Sequence, residues 1–212
     1  MTTYPIETIT AAAPVVPVVI IKETRQAVPL AQALLRGGVK IIEITLRTPV
    51  ALDCISAIKK EVPDIIIGAG TIMNPSQLEA ALEAGAHFGV SPGSTATLRD
   101  AVKANGMPFL FGAITPSEVM TLLDDGFQYV KFFPAEASGG IKTLASWQSP
   151  LANAKFCPTG GIDVIKAKEY LNLGNVVCVG GSWVAPMHAL ENDDWPIIEQ
   201  HAAQVMALAE DI

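Results

Sequence analysis

The chain has 212 residues, half of them apolar and 17% charged, with a mean hydropathy of +0.38, which excludes a largely disordered polypeptide. Its 14 Lys and Arg against 21 Asp and Glu give a net charge of −7, and no basic run of the kind that grips nucleic acid is present. The length fits one domain spanning 1–212; the three cysteines form neither a disulfide framework nor a zinc pattern; and without a signal-peptide layout or a membrane-length apolar run, a soluble cytoplasmic protein is expected.

In chain order, Thr2–Ala13 reads as a short helix able to cap one end of the fold. Eight apolar, β-like runs follow: Val15–Ile20, Ile41–Leu46, Ile65–Gly70, Phe88–Pro92, Pro108–Ile114, Tyr129–Pro134, Lys155–Gly161 and Val176–Ser182. Segments of helical spacing separate them, for example Val28–Arg36 and Pro75–Ala84. Several end in glycine (Gly38, Gly85, Gly106, Gly126, Gly174), and Thr48-Pro49, Asn74-Pro75 and Thr115-Pro116 place proline near helix starts. Eight β–α units without a long insertion predict a (β/α)8 TIM barrel. A doubly wound open sheet is the alternative, but its dinucleotide or flavin fingerprint is not evident. A barrel places active groups at the C-terminal ends of the strands and in the loops just beyond.

The unusual polar residues fall there. Lys131 sits inside Tyr129–Pro134, a run apolar on both faces, where an unpaired ammonium is costly and a neutral amine is a nucleophile toward carbonyls. Alternation puts Lys131 with Tyr129 and Phe133, and Val130 with Phe132 on the other face. In the second run Glu43, Thr45 and Arg47 share a face, giving Glu43 as a proton shuttle and Arg47 as a bidentate carboxylate clamp. The competing reading is a structural Glu–Arg or Glu–Lys ion pair closing the barrel. Thr71, after Gly68-Ala69-Gly70, offers a hydroxyl to the same carboxylate, or simply caps a helix. Pro92, in Ser91-Pro92-Gly93, shapes the rim and with Phe133 would line the keto-acid pocket. Gly160-Gly161 and Gly180-Gly181-Ser182 close the seventh and eighth units, where backbone N–H groups and helix starts suit a phosphate, although paired glycines also make tight turns. The three histidines lack ligand spacing, no Asp/His cluster points to a metal-dependent aldolase, and a serine nucleophile elbow is absent. Trp147, Trp183 and Trp195 are assigned to packing or an oligomer surface.

These residues resemble those of the bacterial 2-keto-3-deoxy-6-phosphogluconate (KDPG) and 2-keto-4-hydroxyglutarate (KHG) aldolase family. The matching stretches are Pro14–Val18, Gly37–Thr48, Gly68–Thr71, Ser91–Gly93, Val130–Ala137, Phe156–Ile162 and Gly180–Trp183, and the similarity around them runs over nearly the whole chain. The resemblance implies a (β/α)8 barrel, a homotrimer, no metal or other cofactor, and reversible cleavage to pyruvate and D-glyceraldehyde 3-phosphate, a step of the Entner-Doudoroff pathway. It implies imine formation at Lys131, acid/base work at Glu43 and pyruvate-carboxylate binding at Arg47 and Thr71. It also places Thr159 near the substrate hydroxyl, and a phosphate at Gly160, Gly161 and Ser182. The chain departs from the family in Phe111–Pro116, where a Pro-Gly often stands, so that loop bears on substrate preference. A 2-keto-3-deoxy-6-phosphogalactonate aldolase, or a phosphosugar-binding barrel with a purely structural Lys131–Glu43 pair, are the other readings.

Overall fold

Aliphatic, aromatic and glycine residues fill eight short runs that are buried over most of their length, the composition of a parallel sheet covered on both faces. The computed structural model describes residues 4–210. Its strands are β1 (Val15–Val19), β2 (Ile41–Thr45), β3 (Ile66–Gly70), β4 (Phe88–Val90), β5 (Phe109–Ala113), β6 (Tyr129–Phe132), β7 (Lys155–Pro158) and β8 (Val179–Gly181). The helices are α1 (Ile6–Thr10), α2 (Ala27–Arg36), α3 (Ala51–Glu61), α4 (Pro75–Glu83), α5 (Ala96–Asn105), α6 (Pro116–Asp124), α7 (Gly140–Trp147), α8 (Val164–Leu171), α9 (Met187–Glu191) and α10 (Trp195–Ala207).

Every strand pairing is parallel, in the order β7-β6-β5-β4-β3-β2-β1-β8. Isolated bridges from Phe156 to Val176 and from Thr159 to Gly180 join β7 to β8 and close the ring. This is the expected (β/α)8 TIM barrel. Its helices turn one face inward: in α2 the buried residues Ala27, Leu30, Ala31 and Leu34 recur at helical spacing. On β6 the outward pair Val130 and Phe132 is fully buried, and Phe132 meets Trp147 of α7 edge-on at 5.4 Å. Trp147 is therefore a packing residue of the helical layer. No helix among the described residues is long and apolar enough to cross a membrane.

The proline signals mark helix starts at α4 and α6. Asn74 accepts the Gln77 N–H ahead of Pro75, and Thr115 forms a reciprocal capping box with Glu118 around Pro116. Thr48 differs: its hydroxyl donates to the Ile21 carbonyl at 2.7 Å, and α3 starts only at Ala51. The helix expected over Thr2–Ala13 is the shorter α1; Thr2 lies outside the described residues.

Several strands end earlier than the apolar runs. β6 stops at Phe132, ahead of a cis Phe133–Pro134 peptide, and β7 stops at Pro158, before Gly160 and Gly161 turn to φ of 105° and 76°. Those left-handed conformations leave the β region, so the chain swings off the ladder where the site begins.

Candidate active site

Lys131 stands in β6 between Gly112 of β5 and Cys157 of β7, its register partners. Only 4% of it is exposed, and the same holds for Glu43 on β2. The lysine Nζ reaches across the barrel to within 3.5 Å of Glu43 Oε1. That oxygen is buried and has no hydrogen-bond partner among the described residues. The Phe133 ring centroid lies 5.1 Å from Nζ, a cation–π distance. An amine and a carboxyl group are thus out of water, near one another, and not joined by a hydrogen bond. A buried polar oxygen in that condition costs about 1–3 kcal/mol, so the arrangement is not the one that stability alone would select.

Backbone shape creates the space for it. Glu43 lies over Gly70 at the end of β3, where a Cβ would stand 2.8 Å from the glutamate Cγ and Cδ and closer still to Oε1. Thr45, on the same face by alternation, does not join the pair: its hydroxyl donates to the Val19 carbonyl at 3.0 Å. Arg47 lies just past β2, exposed, and makes no ion pair with Glu43, so the structural Glu–Arg reading is not what forms. Its Nε donates instead to Thr71 Oγ1 at 3.2 Å.

Thr71 has φ of 62°. A β-branched residue in the left-handed region is strained by about 1–3 kcal/mol, and such strain collects at ligand clamps. Here it brings a hydroxyl onto the arginine at the rim.

Beyond β4, the Ser91 hydroxyl donates to the Gly93 carbonyl at 2.6 Å and tightens the loop that carries Pro92. The Pro92 carbonyl presses on Gly112 so closely that no Cβ fits there, and Gly112 is the register neighbour of Lys131. Pro92 therefore leans over the strand beside the lysine. On the other side of β6, the Thr159 N–H donates to the Phe132 carbonyl at 2.9 Å, and Gly160 lies against the Phe133 ring. Thr159 bridges Gly180, Gly181 ends β8 beside the Trp183 ring, and Ser182 is exposed at the rim. The predicted residues thus form three groups: Lys131, Glu43 and Phe133 at the floor; Arg47 with Thr71 on one side; and Thr159–Gly161 with Gly180–Ser182 on another.

Two features escaped sequence reasoning. Cys157 and Cys178 lie together in the interior near Glu43; the neighbouring Cys157 thiol and complete burial push Cys178 well above the usual thiol range, so it stays protonated. Alternation along β7 could have placed Cys157 inside, with Thr159. The second is Glu136, which holds Tyr170 and Lys166 just behind Gly161.

Residues 6–201 match the family model described as KDPG and KHG aldolase. A 2-dehydro-3-deoxy-phosphogluconate aldolase of Pseudoalteromonas atlantica is 50% identical over 194 residues, covering 92% of this chain and 90% of the relative. A KHG/KDPG aldolase of Escherichia coli is 47% identical over 200 residues, 94% of each chain. Among solved structures, the KDPG aldolase of Legionella pneumophila with pyruvate captured as a covalent carbinolamine superposes with a TM-score of 0.94 at 43% identity, over 96% of this chain and 98% of the other. By family model, sequence and fold together, the chain belongs to the KDPG and KHG aldolase family.

Proposed function

We propose that this lysine Schiff-base aldolase cleaves KDPG to pyruvate and D-glyceraldehyde 3-phosphate through Lys131, and 4-hydroxy-2-oxoglutarate to pyruvate and glyoxylate by the same steps. The observation that carries the reading is the buried Lys131–Glu43 pair with its unbonded carboxylate oxygen. The substrate carboxylate lies on Arg47 and Thr71, with Pro92 and Phe133 against the keto-acid carbons. Lys131 Nζ attacks the C2 carbonyl. Glu43 delivers the proton that lets the carbinolamine oxygen leave as water. It then takes the proton of the C4 hydroxyl while the C3–C4 bond breaks, and the bonding pair moves into the imine to give an enamine. The aldehyde departs, C3 is reprotonated, and water releases pyruvate. Gly160, Gly161, Gly180, Gly181 and Ser182 hold the phosphate, and Thr159 faces the hydroxyl-bearing carbon. The captured pyruvate carbinolamine of the Legionella relative supports the lysine step.

In this reading the protein is a cytoplasmic homotrimer without a cofactor. The exposed apolar side chains of Met73 and Met120 are suited to subunit contact.

Borohydride reduction in the presence of pyruvate, followed by peptide mass spectrometry, tests the chemistry: a reduced pyruvate adduct on Lys131 is expected. A folded, pyruvate-saturated protein without an adduct overturns it. Parallel product assays with the gluconate and galactonate epimers and with hydroxyglutarate then fix the preferred substrate, and light scattering fixes the assembly.

A further inference from the structure

Three consecutive carbonyls at the end of β7 are tied to groups outside the strand. The Thr159 carbonyl accepts from the Ala135 N–H at 2.8 Å, and the Gly160 carbonyl from the Glu136 N–H at 3.2 Å. The Gly161 carbonyl accepts from Lys166 Nζ at 3.3 Å. In a trans peptide the C=O and the following N–H point in opposite directions. Anchoring these three carbonyls therefore turns the N–H groups of Gly160 and Gly161 away from the loop after β6, and that of Ile162 away from Lys166. The result is three successive amides free of the groups that anchor their carbonyls, two of them at left-handed glycines, a set of the kind that receives anions.

The anchors are themselves held by one cluster. Glu136 accepts from the Tyr170 hydroxyl through Oε1 at 2.6 Å, and pairs with Lys166 through Oε2 at 2.7 Å. Tyr170 is fully buried on α8. The Glu136 stem lies directly against Gly161, where a Cβ would come within 2.8 Å of its Cγ. Asp163 caps the start of α8 by accepting the Lys166 N–H at 2.9 Å, which fixes the base of the lysine. The ammonium beside it, followed by the tyrosine hydroxyl, holds the Glu136 carboxyl below the usual carboxylate range, so it is ionised at neutral pH. An anionic side chain behind an anion site would repel the ligand, but both of its oxygens are engaged by donors.

We propose that Glu136, Tyr170 and Lys166 are positioning residues that hold the Gly160–Ile162 amides in the geometry that binds the substrate phosphate, without touching the substrate. The proposal rests on the assignment of the phosphate to this turn. It makes the network a determinant of preference between phosphorylated and unphosphorylated 2-oxo acids that share one imine chemistry.

The test compares the wild type with Glu136→Ala, Glu136→Gln and Tyr170→Phe, using KDPG and 4-hydroxy-2-oxoglutarate as substrates and inorganic phosphate as a competitive probe. Glu136→Ala and Tyr170→Phe are expected to raise KM for KDPG about tenfold and weaken phosphate inhibition in parallel. In both variants kcat and the KM for hydroxyglutarate should stay within about twofold of wild type. Glu136→Gln, which keeps an acceptor for Tyr170, should recover most of the KDPG affinity. Equal losses on both substrates would reduce the network to a purely structural one and overturn the proposal. So would variants indistinguishable from wild type. A wild type that phosphate does not inhibit, and that handles both substrates alike, would instead remove the phosphate assignment at the turn, and the proposal with it.

Discussion

Two lysine–carboxylate pairs stand at the mouth of this barrel, and they are built to opposite specifications. Glu136 and Lys166 approach to 2.7 Å, have side chains 31% and 39% exposed, and bond to Tyr170 and the Gly161 carbonyl as well. Glu43 and Lys131 stay 3.5 Å apart, are almost wholly buried, and leave a carboxylate oxygen without a partner. The first pair has used its hydrogen-bonding capacity and can only hold. The second keeps capacity in a dry place, where a bond to substrate is strongest. Distance and satisfaction, more than the identity of the residues, separate a brace from a reactive centre.

The contrast breaks most sharply at Lys131. Lys131→Ala should lower turnover by about four orders of magnitude or more and abolish the borohydride-trapped adduct. Circular dichroism should remain that of the folded barrel. Glu43→Gln comes next: kcat should fall about 10²–10³-fold in steady-state assays, since a general acid–base is lost while the amine remains, and the adduct should still form slowly. Gly70→Ala tests whether the loose geometry itself matters. Its methyl would displace the Glu43 carboxylate, with an expected loss of about 10–100-fold in kcat and little change in KM.

At the rim the expected effects are smaller. Thr71→Gly removes both the strain and the hydroxyl, so thermal melting should rise by a few degrees, about 1 kcal/mol, while KM for the keto acid rises several-fold. The last effect, on stability and not on turnover, belongs to a third lysine contact. Lys59 Nζ lies 2.7 Å from His87, whose Nδ1 accepts the Ile67 N–H, and burial, helped by the lysine charge, pushes the imidazole down to about 4. The unfolded chain then binds the extra proton first. Stability should hold above about pH 6.5, fall as the pH drops from there, and level off near 4. His87→Asn should flatten that part of a melting-temperature profile.

The strands were legible because each is buried on both faces, and β-branched and aromatic runs bounded by glycine have few other uses. The Lys131–Glu43 pair was legible for the same reason: alternation leaves a charged residue in such a run no destination except the interior, and two such residues must meet there. Their separation was not legible, since 2.7 Å and 3.5 Å follow from the same letters. Thr71 gave no sign of its φ, because a β-branched residue is the last type expected in the left-handed region. Glu136 hid for a different reason. A glutamate in a loop is ordinary, and its partners lie 30 and 34 residues further on, brought near only when α8 packs beside the turn.

The ring is not equally continuous all the way round. The other seven joins are unbroken ladders of two to five registered pairs, whereas among the described residues β7 meets β8 through the isolated bridges at Phe156–Val176 and Thr159–Gly180. A cylinder with one interrupted join behaves as a curled sheet with a latch. The latch carries Thr159 and Gly180, so the stereochemical and phosphate ends of the substrate straddle the line along which the wall parts most easily. Ligand that spans this line works as a clasp: it should slow amide exchange at Phe156 and Val177, whose N–H groups cross it, and leave the β2–β3 amides as they were.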